Sequence, residues 1–136
     1  TLAQVLGELG SRPVLVVHGA DGMDEISLSD STYIAELKDG KVSEYTVHPD
    51  QFGLTTAPVE SLKVANADEA CAKLIGVLNN EAGAARYIVQ MNAGAAIYVA
   101  GLSKSLEEGI AKADEVIASG AAKEKLQQLI EISNQN

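Results

Sequence analysis

At 136 residues the chain suits one domain with a real core, able to bury roughly two thirds of its unfolded surface. Its 19 acidic and 10 basic residues give a net charge of −9 with no Lys/Arg cluster, which argues against nucleic acid as a partner. The single cysteine, Cys71, excludes an internal disulfide and fits a reducing, cytoplasmic compartment. Thr1 to Gln4 has neither the basic region nor the apolar core of a signal peptide. Tyr87 to Leu102, the longest low-charge stretch, is too short and too Ala/Gly-rich for a membrane span, so no membrane partner is expected.

In chain order, Leu2, Val5, Leu6 and Leu9 recur at helical spacing, and Gly10 offers a left-handed stop. Val14 to Val17 is an apolar, mostly β-branched run, which predicts a strand buried on both faces as in a parallel sheet. The run ends at Gly19, Asp21 and Gly22, and Met23-Asp24-Glu25 follows. Open α/β sheets bind ligands beyond the carboxyl ends of their strands, so acids here are placed to hold a metal ion or a metal-bound substrate. Asp24 and Glu25 are the candidate ligands, weighed against solvated loop acids of no further role. Mg²⁺ suits such a pair because it needs only one or two protein carboxylates and can bridge them to an anionic substrate. Asp21 reads as a turn former with Gly22, and His18 as a hydrogen-bonded brace for the loop.

Thr32–Lys38 and Lys41–Val47 flank Asp39-Gly40, a type I′ hairpin signal that sets Ile34 opposite Tyr45. The hairpin makes the expected sheet mixed. His48 to Leu54 reads as a turn or single helical turn with His48 at the surface, and Thr55–Glu60 as a loop. Helices dominate from there. Asn66 and Glu69 form a capping box ahead of the stripe Cys71, Leu74, Ile75 and Leu78, which predicts a buried, inert Cys71. Ala85, Ile88, Val89, Asn92, Ala95, Ala96 and Val99 line one face of the next helix, whose Ala and Gly content, Gly94 included, permits close packing. On that face Asn92 reads as a satisfied polar anchor between elements. Ser105 and Glu108 repeat the capping box, ahead of Leu106, Ile110, Ala113 and Ile117. Glu107-Glu108 and Asp114-Glu115 read as solvated helix faces. Gly120 separates a last amphipathic helix through Leu126, Leu129 and Ile130.

Four ordered stretches resemble anthranilate phosphoribosyltransferase. They are Val16 to Glu25 (Val-Val-His-Gly-Ala-Asp-Gly-Met-Asp-Glu), Tyr45 to Leu54 (Tyr-Thr-Val-His-Pro-Asp-Gln-Phe-Gly-Leu), Asn92 to Gly101 (Asn-Ala-Gly-Ala-Ala-Ile-Tyr-Val-Ala-Gly), and Ser105 to Gly109 with Ser119-Gly120. The resemblance covers essentially the whole chain. It implies an α/β fold: the C-terminal part of a mixed, largely parallel sheet flanked by helices, nucleoside phosphorylase/phosphoribosyltransferase-like, with one hairpin and a helical C-terminal half. It implies transfer of phosphoribosyl from phosphoribosyl pyrophosphate to anthranilate, with release of pyrophosphate, in tryptophan biosynthesis. It implies Mg²⁺ on Asp24 and Glu25, and a homodimer. The family's N-terminal helical domain and its phosphate-binding motifs have no counterpart in residues 1–136, and there is no Gly-x-Gly-x-x-Gly or Walker-type loop. Residues 1–136 are therefore expected to be the C-terminal portion of the phosphoribosyltransferase domain, inactive alone. Two alternatives remain: a phosphorylase or phosphoribosyltransferase of the same fold with another acceptor, or a non-catalytic, self-associating domain.

Overall fold

The computed structural model describes residues 1–135. A short helix α1 (Leu2–Glu8) leads to three strands, β1 (Val14–Gly19), β2 (Thr32–Lys38) and β3 (Lys41–Val47). Two single 3₁₀ turns (Pro49–Phe52 and Val59–Leu62) then lead to α2 (Ala67–Leu78), α3 (Ala84–Val99), α4 (Leu106–Ala118) and α5 (Ala121–Ser133). The α/β class, the hairpin and the helical C-terminal half are as the sequence predicts.

The strand pairing differs. Among the described residues the sheet has three strands in the order β1-β2-β3, and both pairings are antiparallel. Val14 lies opposite Leu37 and Val17 opposite Ile34, so β2 takes one edge of β1 and nothing pairs with the other. The expectation of a strand covered on both faces also fails, since Val14 to Val17 are only half-buried. An unbroken apolar run signals a strand meant for cover on both sides. Here one face packs on the core, and on the other α1 covers only the Val14–Leu37 end.

The hairpin forms in the predicted register, with Ile34 against Tyr45 and Leu37 against Val42. Asp39 and Gly40 both take positive φ, 51° and 75°, as a type I′ turn demands. Strand alternation then sorts the side chains. Leu15, Val17, Ile34, Glu36, Tyr45 and Val47 share one face, and the apolar members among them pack with Ile26, Leu28, Met91, Leu106 and Ile110. Val16, His18, Tyr33 and Ala35 share the other face, where Tyr33 is 56% exposed.

The helical half is built on one close approach. A Cβ placed on Gly94 of α3 would lie 2.5 Å from Ile110 Cα, and one on Gly109 of α4 would strike the Gly94 carbonyl oxygen. Both glycines therefore let α3 and α4 meet backbone to backbone. Arg86 adds an ion pair from α3 to Asp114 on α4, with Nη1 2.7 Å from Oδ1. Asp114 is thus an interhelical partner, where the sequence suggested a solvated face. The two predicted caps form: the Glu69 amide donates to Asn66 Oδ1 at 2.9 Å and the Glu108 amide to Ser105 Oγ at 3.2 Å. Each glutamate reaches back one residue further than the ideal box, to the amides of Ala65 and Lys104.

Cys71 is exposed, contrary to expectation. Its stripe-mate Leu74 is 52% exposed too, because α2 turns only Gly76 and Val77 fully inward. The apolar side of α2 instead flanks an open groove of about 670 Å³, walled by Leu62, Val64, Leu74, Leu78, Val89 and Leu126.

Candidate functional site

β1 ends at Gly19, and the backbone there folds back on itself. The Gly19 amide donates to the Met23 carbonyl at 2.8 Å, the Gly22 amide to the Gly19 carbonyl at 2.9 Å, and the Ala20 amide to the Ser31 carbonyl at 2.8 Å. Gly22 takes a φ of 90°, which suits glycine alone among common residues. A Cβ on Gly19 would lie 2.5 Å from Asp21 Oδ1 and close to Met23 and Ser27, so this corner needs glycine for space as well.

Asp21 sits at the centre of the turn. Its Oδ1 accepts from the Met23 amide at 3.1 Å, and its Oδ2 accepts from the hydroxyls of Ser27, at 2.6 Å, and of Ser29. Partial desolvation works to raise its pKa, but the donors from Ser27, Ser29 and Met23 outweigh it and hold the carboxyl below its ordinary value. Asp21 is thus the turn former the sequence indicated, with three donors already on its two oxygens. His18 is exposed on the open face of the sheet and does not take the bracing role expected of it; Asp21 does.

The loop is also pinned from below. The Ile26 amide donates to Asn92 Oδ1 at 2.9 Å, and Asn92 Nδ2 donates to the carbonyls of Ile26, at 3.0 Å, and Ile88, at 2.9 Å. One amide side chain on α3 thereby satisfies both backbone groups of a fully buried residue 66 positions earlier. Ser27 is buried and its amide donates to Thr32 Oγ1 at 2.9 Å, which ties the loop to the start of β2. The polar anchor at Asn92 was legible from its place on an apolar face. Ser27, Ser29 and Thr32 were missed, although Ser-x-Ser just after an acidic turn is the kind of donor cluster a carboxylate attracts.

Asp24 and Glu25 stand in the middle of this braced segment. Both are exposed, and neither carboxylate takes part in a hydrogen bond or ion pair among the described residues. The contrast with Asp21 is one of geometry: that acid holds the loop, and Asp24 and Glu25 are left without partners among the described residues. Among the described residues no group of three or more His, Cys, Asp or Glu side chains is arranged to hold a metal ion. A pair of free carboxylates fits Mg²⁺ nonetheless, since this ion keeps several waters and completes its shell with substrate phosphates.

The fold and this strand-end loop define the class. The sequence profile of the glycosyl transferase family, a/b domain, matches residues 1–123, and the chain belongs to that family. Within it, the chain is 55% identical over 134 residues to the anthranilate phosphoribosyltransferase of Nitrosomonas europaea, covering 98% of this chain and 39% of that protein. The crystal structure of anthranilate phosphoribosyltransferase from Thermus thermophilus superposes with a TM-score of 0.83 at 38% identity, over 93% of this chain and 37% of that one. A Saccharomyces cerevisiae anthranilate phosphoribosyltransferase variant with Mg bound gives a TM-score of 0.73 at 25% identity, over 88% of this chain and 35% of that one. The chain thus spans well under half the length of the relatives it matches.

Proposed function

We propose that residues 1–136 are the C-terminal portion of the α/β domain of an anthranilate phosphoribosyltransferase, acting in tryptophan biosynthesis. The observation that carries the reading is the pair of free carboxylates, Asp24 and Glu25, on a loop braced by Asp21 and Asn92 at the end of β1. The likeness to enzymes of that name over nearly the whole chain supports the substrates, phosphoribosyl pyrophosphate and anthranilate. The magnesium-bound yeast relative supports Mg²⁺ as the cofactor.

In this reading Asp24 and Glu25 hold the metal, and the chemistry a bound Mg²⁺ supplies is neutralisation of charge on the departing pyrophosphate. The remaining work of these residues is positional. Asn92 fixes the loop to α3, and Asp21 fixes its curvature, so that the two acids meet the substrate phosphates without reorganising. The described residues offer no general base beside the acids. An aromatic amine attacking an activated sugar needs orientation and leaving-group stabilisation above all, and the site is consistent with that division of labour. Cytoplasmic placement and a homodimer complete the proposal.

The test uses a polypeptide of full family length, in which this chain replaces the matching 39% of the Nitrosomonas europaea relative. Loss of anthranilate fluorescence on mixing with phosphoribosyl pyrophosphate and Mg²⁺ reports turnover. Asp24→Ala with Glu25→Ala is expected to lower kcat/KM by about 10²-fold or more, the scale of losing one electrostatic stabiliser, with an unchanged circular dichroism spectrum. Full activity and unchanged Mg²⁺ dependence in that double variant would remove both residues from the site. The 136 residues alone are expected to give no turnover.

A further inference from the structure

The other end of β1 carries the opposite charge. Arg12 and Pro13 precede the strand, and the pairing of Val14 with Leu37 brings them beside Lys38 and Asp39 at the hairpin tip. The last turn of α3 and the loop leading to α4 close the space with Tyr98, Gly101, Ser103 and Lys104. The result is a cavity of about 480 Å³, lined by Arg12, Lys38 and Lys104 and by one acid, Asp39. Three of the chain's ten basic residues thus line one cavity, from three separate segments, in a molecule of net charge −9.

The central cation is held in place. Lys38 Nζ donates to the Tyr98 hydroxyl at 2.9 Å and lies 5.0 Å from the centre of the Tyr98 ring. Tyr98 in turn donates to Glu36 Oε1 at 2.5 Å, and Tyr45 donates to Glu36 Oε2 at 3.0 Å. Glu36 is buried, so this chain of bonds runs from the core to the cavity wall, and both oxygens of the one nearby buried acid are engaged. The bond to Tyr98 raises the pKa of Lys38, which keeps it a cation. Neither Arg12 nor Lys104 is in an ion pair among the described residues.

We propose that this cavity is a binding site for a small phosphate-bearing molecule, a phosphate monoester, at the opposite end of β1 from Asp24 and Glu25. Three cations outnumber the lining carboxylate of Asp39 and the Glu36 carboxylate one hydrogen bond behind Tyr98, so the cavity favours an anion, and the planar fork of Arg12 suits phosphate oxygens. The volume exceeds what one phosphate group fills and lies within the range of small-molecule pockets. Six residues of strand set the two ends of β1 about 20 Å apart, beyond the Debye length of about 8 Å at physiological salt, so the acidic loop scarcely opposes an anion bound here.

The experiment titrates inorganic phosphate into the ¹⁵N-labelled chain at about 0.15 M ionic strength, dilute enough to be monomeric, with a chelator present, so that no divalent ion engages Asp24 and Glu25. Saturable shifts centred on residues 12, 38–39 and 98–104 are expected. Arg12→Gln with Lys104→Gln should weaken binding by about tenfold or more, as loss of two charge-assisted contacts implies. A control, Lys123→Gln with Lys125→Gln on α5, should bind as the parent does. Asp24→Ala with Glu25→Ala should also bind as the parent does, whether or not those acids serve the metal. Non-saturating shifts, shifts centred on residues 21–25, or equal affinity in the Arg12/Lys104 variant with its spectrum otherwise intact would overturn the proposal.

Discussion

Asn92 does at residue scale what a whole strand does elsewhere: it satisfies the amide and the carbonyl of the buried residue Ile26. Asn92→Ala leaves both groups without a partner in a dry setting, at a cost of about 1–3 kcal/mol each. A fall in the thermal midpoint together with faster amide exchange at Ile26 is the expected result, and exchange confined to other segments would show that the loop does not depend on this clamp. Asp21 gives a pH signature. Its folded pKa lies below its ordinary value of 3.8, so its contribution to stability is present above that value and is lost as pH falls through the lower, folded one. The stability gap between the parent and Asp21→Asn should therefore be wide at pH 6 and narrow towards pH 3, measured by denaturant titration. A constant gap would mean the carboxylate charge is not what the serines hold. Of these two residues the sequence indicated the roles, but not the partners. Ser27 and Ser29 lie six and eight residues from Asp21, and only the folded turn brings their hydroxyls to its carboxylate.

Local signals carried the elements furthest where a backbone demand is met by one residue type. Asp39-Gly40 fixed the hairpin, Gly10 and Gly120 marked helix boundaries with φ of 92° and 79°, and Asn66 and Ser105 marked helix starts. The same reasoning misjudged Cys71, because an apolar stripe states which side of α2 avoids water but not whether this chain covers it. Gly94 lies between these cases: composition suggested close packing, and the structure names the partner, Ile110. Gly94→Ala must push two helix backbones apart. The expected cost is about 1–3 kcal/mol or more, the range for overpacking a filled core, read as a lowered midpoint in thermal unfolding. Gly76→Ala is the comparison. Its added Cβ would meet the carboxylate of Glu81, a flexible side chain, at 2.7 Å, so it should cost little. Helix propensity favours alanine over glycine by about 1 kcal/mol at both positions, so equal losses in the two variants would mean that the α3–α4 approach does not set the cost at Gly94.

At the scale of the whole molecule, the sequence pattern of β1 and its structure disagree in an informative way. A run such as Val14 to Val17 anticipates neighbours on both edges, yet among the described residues β1 has a single neighbour and a face only partly covered, on which Tyr33 is exposed. The free edge carries none of the devices that blunt an edge: no lysine, no proline and no charge lies within Val14–Val17. β1 is also polarised, with Arg12 ahead of it and Asp21, Asp24 and Glu25 behind. An antiparallel pairing of two copies sets each Arg12 beside the partner's acidic loop, whereas a parallel pairing sets like charges together. The 136-residue chain is therefore expected to self-associate through β1 as a two-fold pair, joining two three-stranded sheets. Sedimentation velocity across a concentration series at low salt reads this as a mass rising from 14.2 kDa towards twice that value. Val16→Lys, which sets a charge on the partly covered face at this edge, should return the chain to monomer with its circular dichroism spectrum unchanged. A clean monomer for the parent at high concentration, with no binding of a hydrophobic dye, would show that the edge is closed in solution by a rearrangement of β1.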